Sequence, residues 1–218
     1  WVNVFMGRLN AYVSGNKLGD GRLVGERATL ASQKTVRELR EALGAPSRQI
    51  GASFREEEQV ALLAGLDVMT IPTKVAAGFV ADRHTPESLS DRTAETYEPV
   101  FAEGVDQQLE GFETLWGISD SFRAVCGGLA RNLDPASATP EGIRDSLEQA
   151  GEGNIFPRLS AEDLGAIAAE GKLPSRERWR ERVARGETGL DALFTLAGRF
   201  AFAADQAALD ARIREHLA

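Results

Sequence analysis

The sequence predicts an α/β protein: a parallel-stranded βαβαβ segment over residues 1–81, then a helical region over residues 82–218. Three observations carry this. As far as Ala81, short apolar runs alternate with helical patterns. Helices that separate consecutive strands act as crossovers, and crossovers imply parallel strands. From Asp82 onward no run reads as a strand; helix caps and helical apolar spacing recur instead.

Trp1–Met6 is nearly continuous in apolar residues and reads as a strand buried on both faces. Gly15–Gly25 is glycine-rich and reads as a loop. Glu26–Leu43 carries Leu30, Val36, Leu39 and Leu43 on one stripe, with Gly44 just past its end, and reads as a helix. Arg48–Ser53 is a second strand. Glu56–Ala64 is a helix whose acidic first turn suits the positive end of the helix dipole, and Gly65 stops it. Asp67–Ile71 is a third strand, halted by Pro72, and Thr73–Ala81 a further helix. These spacings suit a segment of a βα barrel. No Gly-x-Gly-x-x-Gly follows a strand, which argues against a dinucleotide site.

Pro86 and the polar residues after it form a linker. Val105–Trp116 places Leu109, Phe112 and Trp116 on one helical face, and Ser119–Leu133 continues it. Thr139-Pro140-Glu141 opens a helix with a threonine cap and proline at the first helical position. Ser160 to Asp163 opens the next with a near-capping box. Ser175–Arg185 is strongly charged and reads as a solvated helix face. Thr188–Phe202 and Asp205–Leu217 close the chain, with Leu190, Leu193, Phe194 and Leu196 as a core stripe.

Composition narrows the function. The net charge is -8 and the pI near 5.0. An acidic surface repels a phosphate backbone, so nucleic acid is not an expected partner, and any anion needs a local basic cluster. No apolar run approaches the ~18 residues of a membrane span. The one cysteine, Cys126, cannot form an intrachain disulfide, which fits the cytoplasm. Cys126, Trp116 and Trp179 read as packing residues. His84 and His216 read as surface residues without metal-ligand spacing, so no metal is expected. The chain opens on an apolar, strand-like run, which is expected of a cleavage product or a portion of a longer polypeptide.

In βα barrels ligands meet the carboxyl ends of the strands. Gly7-Arg8 follows the first strand here, Ala52-Ser53-Phe54-Arg55 ends the second, and Ile71-Pro72-Thr73-Lys74 follows the third. Parallel neighbours ~5 Å apart bring Arg8, Ser53 and Arg55 to one patch. Forked guanidinium donors and a hydroxyl suit a phosphate. Gly7 lets the backbone approach closely, and the helix beginning near Glu56 can add its N-terminal N–H groups. The plainer alternative is that both arginines are solvated or pair with Glu56–Glu58.

The run VNVFMGRLNAYV resembles the sixth-strand motif S-P-F-V-G-R or S-P-Y-V-G-R of the transaldolase and fructose-6-phosphate aldolase family. RQIGASFREEEQVALLAGLDVMTIP resembles the family's seventh and eighth strands, with its A-S-F-R and L-A-G-x-D-x-x-T-x-P motifs. NKLGDGRLVGERATLASQ resembles an insertion of a bacterial transaldolase-like subgroup. The resemblance covers about the first eighty residues. It implies the C-terminal part, strands six to eight, of a (β/α)8 TIM barrel, followed by an α-helical extension. It also implies that Arg8, Ser53 and Arg55 grip a sugar phosphate, with Asn3 and Phe5 contacting substrate. Phe5 stands where transaldolases have phenylalanine and fructose-6-phosphate aldolases tyrosine. Asn3 replaces the family's usual serine.

The family's reaction joins a lysine to the ketose carbonyl as a Schiff base, and a dihydroxyacetone unit is transferred or released. That lysine and its acid/base partners lie on earlier strands, so no catalytic residue is expected in this chain. Lys74 matches no family lysine and reads as a solvated residue in a first helical turn. The resemblance therefore implies a class I aldolase of carbohydrate metabolism without metal or organic cofactor. Its missing N-terminal barrel half would come from the same polypeptide, a cleaved partner or a separate subunit. The alternative is a non-catalytic sugar-phosphate-binding or interaction protein that keeps the phosphate grip.

Overall fold

The computed structural model describes residues 1–82, 84–85 and 89–217, in two compact units, Trp1–Val105 and Asp106–Ala218. The linker expected at Pro86 begins outside the described residues.

The first unit holds a parallel sheet in the order β1 (Val2–Phe5), β2 (Gln49–Ala52), β3 (Val68–Thr70). Val2 lies opposite Gln49 and Phe5 opposite Ala52; Ile50 lies opposite Val68 and Ala52 opposite Thr70. The crossovers are helical, as the alternating pattern requires. Two helices, α1 (Met6–Gly15) and α2 (Val24–Leu43), separate β1 from β2, α3 (Glu58–Leu62) separates β2 from β3, and α4 (Thr73–Ala81) follows β3. Met6, Leu30, Phe54, Val60, Leu63 and Val75 form a buried cluster, with Leu66, Met69, Ile71, Phe79 and Tyr97 packed against it. Residues beyond α4 return to this unit. The Arg92 N–H donates to the Ala64 carbonyl, the Tyr97 hydroxyl to that of Leu62 and the Ala102 N–H to that of Leu18, each at 2.8 Å.

The strand expected over Trp1–Met6 ends at Phe5, and Met6 already belongs to α1. Met6, Leu9, Tyr12 and Val13 are buried at helical spacing, and this burial turns the chain into a helix. Nor is β1 buried on both faces. It lies at the sheet edge beside β2, and Trp1 and Val2 are 74% and 40% exposed. The helix expected over Glu56–Ala64 is shortened to Glu58–Leu62, and ahead of it the Gln59 side chain accepts the Arg55 and Glu56 N–H groups.

The second unit is helical: α5 (Asp120–Asn132), α6 (Pro140–Gln149), α7 (Ala161–Glu170), α8 (Arg176–Ala184) and α9 (Leu190–Leu217). Thr139 caps α6 with Pro140 at its start, and Ser160 with Asp163 forms a full capping box on α7. Ile167, Trp179, Val183, Leu193 and Ala197 form the core, and the Trp179 indole N–H donates to Glu170 at 2.9 and 3.1 Å.

Three expectations change here. The helix expected over Val105–Trp116 is replaced by turns and a short 3-10 helix, Phe112–Leu115. Asp106 Oδ1 accepts the Gln108 and Leu109 N–H groups, and Gly111 is left-handed at φ +75°. The two closing helices are one, since only alanines lie between Phe202 and Asp205 and nothing breaks the ladder. And α8 is not merely a solvated face. It buries Trp179 and Val183, and Arg176, Arg178, Arg180 and Arg182 pair with Glu110, Glu170, Glu110 and Asp163.

Among the described residues no helix is long and apolar enough to cross a membrane. Nor do three His, Cys, Asp or Glu side chains gather to hold a metal. Cys126 is half-buried, and burial pushes its thiol pKa up. His84 is exposed and stacks on Phe79 at 4.3 Å; His216 is exposed.

Candidate anion-binding site

The carboxyl end of β1 passes straight into α1. Phe5 is the last strand residue and also the residue before the helix. No side chain caps α1, and its first turn carries no acid. The positive end of the helix dipole is therefore not offset by the chain's own carboxylates, the condition under which a helix start attracts an anion.

Gly7, in that first turn, lies against the end of β2. A Cβ at Gly7 would fall 2.2 Å from the Ser53 carbonyl oxygen, 2.9 Å from Ser53 Oγ and 3.2 Å from Arg55 Cγ. Only glycine permits this approach. Ser53, the first residue after β2, has a left-handed backbone with φ +68°. That conformation is unfavourable for a residue with a Cβ and persists where the surroundings over-determine it, often at ligand sites.

Arg55 is exposed, and its guanidinium makes no ion pair among the described residues. Glu58, the acid best placed by sequence to neutralise it, pairs with Arg22 at 3.0 Å. Arg8 follows Gly7, half-buried, with its guanidinium carbon 4.4 Å from the centre of the Phe5 ring. Asn3, two residues before Phe5 and so on the same strand face, is exposed opposite Ile50. The structure thus brings Gly7, Ser53 and Arg55 into one cluster and sets Arg8 on Phe5 beside it.

Near Glu56 the Arg55 and Glu56 N–H groups are already donated to Gln59 Oε1, at 2.7 and 3.1 Å, while α1 and α3 both start without a side-chain cap. Gln59 Nε2 donates to Glu26 Oε1 at 2.7 Å, Asn10 Nδ2 donates to both Glu26 oxygens, and the Gly25 N–H donates to Asn10 Oδ1. A cavity of about 240 Å³ opens beside this network, with Gly7, Asn10, Glu26, Arg55 and Gln59 in its wall. The chain's lysines, Lys17, Lys34, Lys74 and Lys172, are all exposed.

A model of the transaldolase/fructose-6-phosphate aldolase family matches residues 1–117. The chain belongs to this family. No curated protein and no solved structure matches it. The transaldolase/fructose-6-phosphate aldolase fold is a TIM barrel, and membership supports a class I aldolase-type function in general terms. The family match runs past β3 and α4 through the whole first unit, so residues beyond Ala81 are part of what the family shares.

Sequence reasoning missed α1, the left-handed backbone of Ser53 and the Asn10–Glu26–Gln59 network. The first was marked by the spacing of Met6, Leu9, Tyr12 and Val13. The second had no signal, since serine does not announce a positive φ. The third joins residues up to 33 positions apart.

Proposed function

We propose that this chain supplies the phosphate-binding side of a transaldolase-type class I aldolase that transfers or releases a dihydroxyacetone unit from a ketose phosphate. The observation that carries the reading is the packing of Gly7 against Ser53 and Arg55 at the uncapped start of α1, with the Arg55 guanidinium free of ion pairs among the described residues. A helix start, a hydroxyl and a forked cation answer the oxygens of a phosphate. Arg8 adds a second guanidinium, oriented by the Phe5 ring. Phe5 favours transaldolase chemistry over that of the fructose-6-phosphate aldolases, and Asn3 faces the sugar hydroxyls.

On this reading β1, β2 and β3 are strands six to eight of the barrel, and the helical unit, Asp106–Ala218, belongs to its C-terminal extension. Among the described residues both outer strands have an open edge, β1 beside β2 and β3 beside β2. Unpaired N–H and C=O groups on such edges are satisfied when the barrel closes. The remaining strands then come from the same polypeptide, a cleaved partner or a separate subunit, in the cytoplasm. They also bring the lysine. Its amine condenses with the ketose carbonyl, the iminium withdraws the electrons of the breaking C3–C4 bond, and the three-carbon unit stays attached until it is passed on.

A second reading is a non-catalytic sugar-phosphate-binding protein. It holds if no other strand brings a reactive lysine, since the lysines here are all exposed and a Schiff-base lysine needs a desolvated or cationic setting. Borohydride reduction of the full-length protein with fructose 6-phosphate separates the two. Covalent attachment to a lysine outside this segment supports the aldolase. Phosphate binding without any trapped lysine selects the non-catalytic reading.

A further inference from the structure

We propose that Asn10, Glu26 and Gln59 are positioning residues for the anion grip, an inference that rests on the reading of Arg55 as a phosphate ligand. Glu26 is 2% exposed, and among the described residues no cation pairs with it. A buried carboxylate without a counter-charge persists only when donors fill its oxygens. Here they are all amides: Asn10 Nδ2 at 3.1 and 3.2 Å and Gln59 Nε2 at 2.7 Å.

The polarity of the chain of bonds is locked from both ends. The Gly25 N–H donates to Asn10 Oδ1 at 2.7 Å, which turns the Asn10 NH2 group toward Glu26. The Arg55 and Glu56 N–H groups donate to Gln59 Oε1, which turns the Gln59 NH2 group toward the same carboxylate. Every donor converges on Glu26, so that position calls for an acceptor on both oxygens, which a carboxylate is and an amide is not. The outer end of the relay is the backbone that carries Arg55, two residues after the left-handed Ser53. Gln59 pins the amides that follow the strained residue, and its neutral amide stands between the buried charge of Glu26 and the anion.

Reciprocal substitution tests this in the full-length protein, with inorganic phosphate as the probe in isothermal titration calorimetry. Gln59→Glu sets two carboxylates face to face, and Glu26→Gln sets two NH2 groups face to face on one side or the other. Each should weaken phosphate binding by about tenfold, the effect of losing one or two buried hydrogen bonds. The double variant Q59E/E26Q restores the donor–acceptor chain but moves the carboxylate next to the Arg55 and Glu56 amides, so it should recover slow exchange of those amides and part of the lost phosphate affinity. Because a single swap can undo the fold, hydrogen exchange gives an independent readout. In the wild-type protein the Arg55 and Glu56 amides should exchange as slowly as those of β2. Exchange at the rate of an open loop overturns the proposal. So do unchanged Kd values in both single variants, or a folded double variant that recovers nothing. A wild-type protein that binds no phosphate instead sinks the reading of Arg55 on which the proposal rests.

Discussion

In the second unit every arginine of α8 meets an acid, and Arg182 meets two, Asp163 at 2.8 Å and Glu187 at 3.2 Å. In the first unit Arg55 meets none among the described residues, although Glu56, Glu57 and Glu58 follow it directly. Backbone strain divides the same way. The non-glycine residues with positive φ among those described, Lys17, Leu23 and Ser53, all lie in the first unit. On α8 each cation is spent on an acid, whereas the sheet unit holds a cation and a strained residue in reserve where a strand ends. Unspent charge and tolerated strain are what a binding site needs and a scaffold does not.

The sharpest way to break this comparison is to hollow out the scaffold. Trp179 is 2% exposed and is the largest side chain of the second core. Trp179→Ala removes its contacts with Ile167, Val183 and Leu193 and its bonds to Glu170, and should lower stability by about 3–5 kcal/mol in urea denaturation. Trp179→Phe keeps most of the volume and loses the hydrogen bond, so it should lower stability by only about 1 kcal/mol. An Ala variant as stable as wild type would remove Trp179 as the anchor of the second core.

Arg55→Ala should act in the opposite manner. The guanidinium has no ion pair to lose, so stability should stay within about 0.5 kcal/mol of wild type. Phosphate binding should weaken by about 2–4 kcal/mol, from lost charge-assisted hydrogen bonds. An unchanged KM for a phosphorylated substrate, with unchanged phosphate Kd, would take Arg55 out of the site.

What could be read in the sequence was local. Thr73–Ala81 is a helix over the residues expected, because Pro72 fixes its start. Thr139-Pro140 and Ser160/Asp163 open helices through side chains within three residues of the amides they cap. Crossover helices imply parallel pairing, and the pairing is parallel. What could not be read depends on partners far along the chain. Whether Arg55 is neutralised by Glu58 turns on Arg22, 36 positions before Glu58. Why Glu26 can be buried turns on Asn10 and Gln59. The end of β1 falls one residue before the expected one because Met6 suits a buried strand and a buried helix equally, and only the spacing after it decides.

Acid titration sharpens the comparison through two aspartates of opposite sign. Burial alone would raise the Asp67 pKa, but the Gln49 N–H, the Gln33 amide and Arg40 outweigh it and hold it at about 2. Its side chain is 8% exposed, so solvent screens these bonds little. A depressed carboxyl adds stability above its unfolded pKa of 3.8 and loses it as pH falls toward 2, a decline on the order of 2 kcal/mol. Asp67→Asn should remove that decline. Asp191, in the second unit, is pushed up by burial, and its Oδ1 has no hydrogen-bond partner among the described residues. A raised carboxyl favours the folded state below its unfolded pKa and weakens it as pH rises through the folded one. Asp191→Asn should therefore raise stability at neutral pH. Urea midpoints between pH 2 and 7 check both, and parallel profiles for the two variants would contradict the opposed signs.

The smallest effect tests whether the strain at Ser53 serves binding. Its φ of +68° is unfavourable for serine by roughly 1 kcal/mol and natural for glycine. Gly7 sits so close that nothing can shift there, since even a methyl group on it would fall 2.2 Å from the Ser53 carbonyl oxygen. Ser53→Gly keeps the turn and relieves the strain. It also loosens the unfolded chain, which offsets part of the gain. The net change should be a stabilisation of no more than about 0.5 kcal/mol. Loss of Oγ removes one donor to the anion, so phosphate should bind about threefold to tenfold more weakly. A glycine variant that is both more stable and weaker in binding shows serine held in an unfavourable backbone for the sake of its hydroxyl. If the variant binds phosphate as wild type does, the left-handed residue only shapes the turn toward Arg55, and the grip rests on Arg55, Arg8 and the start of α1.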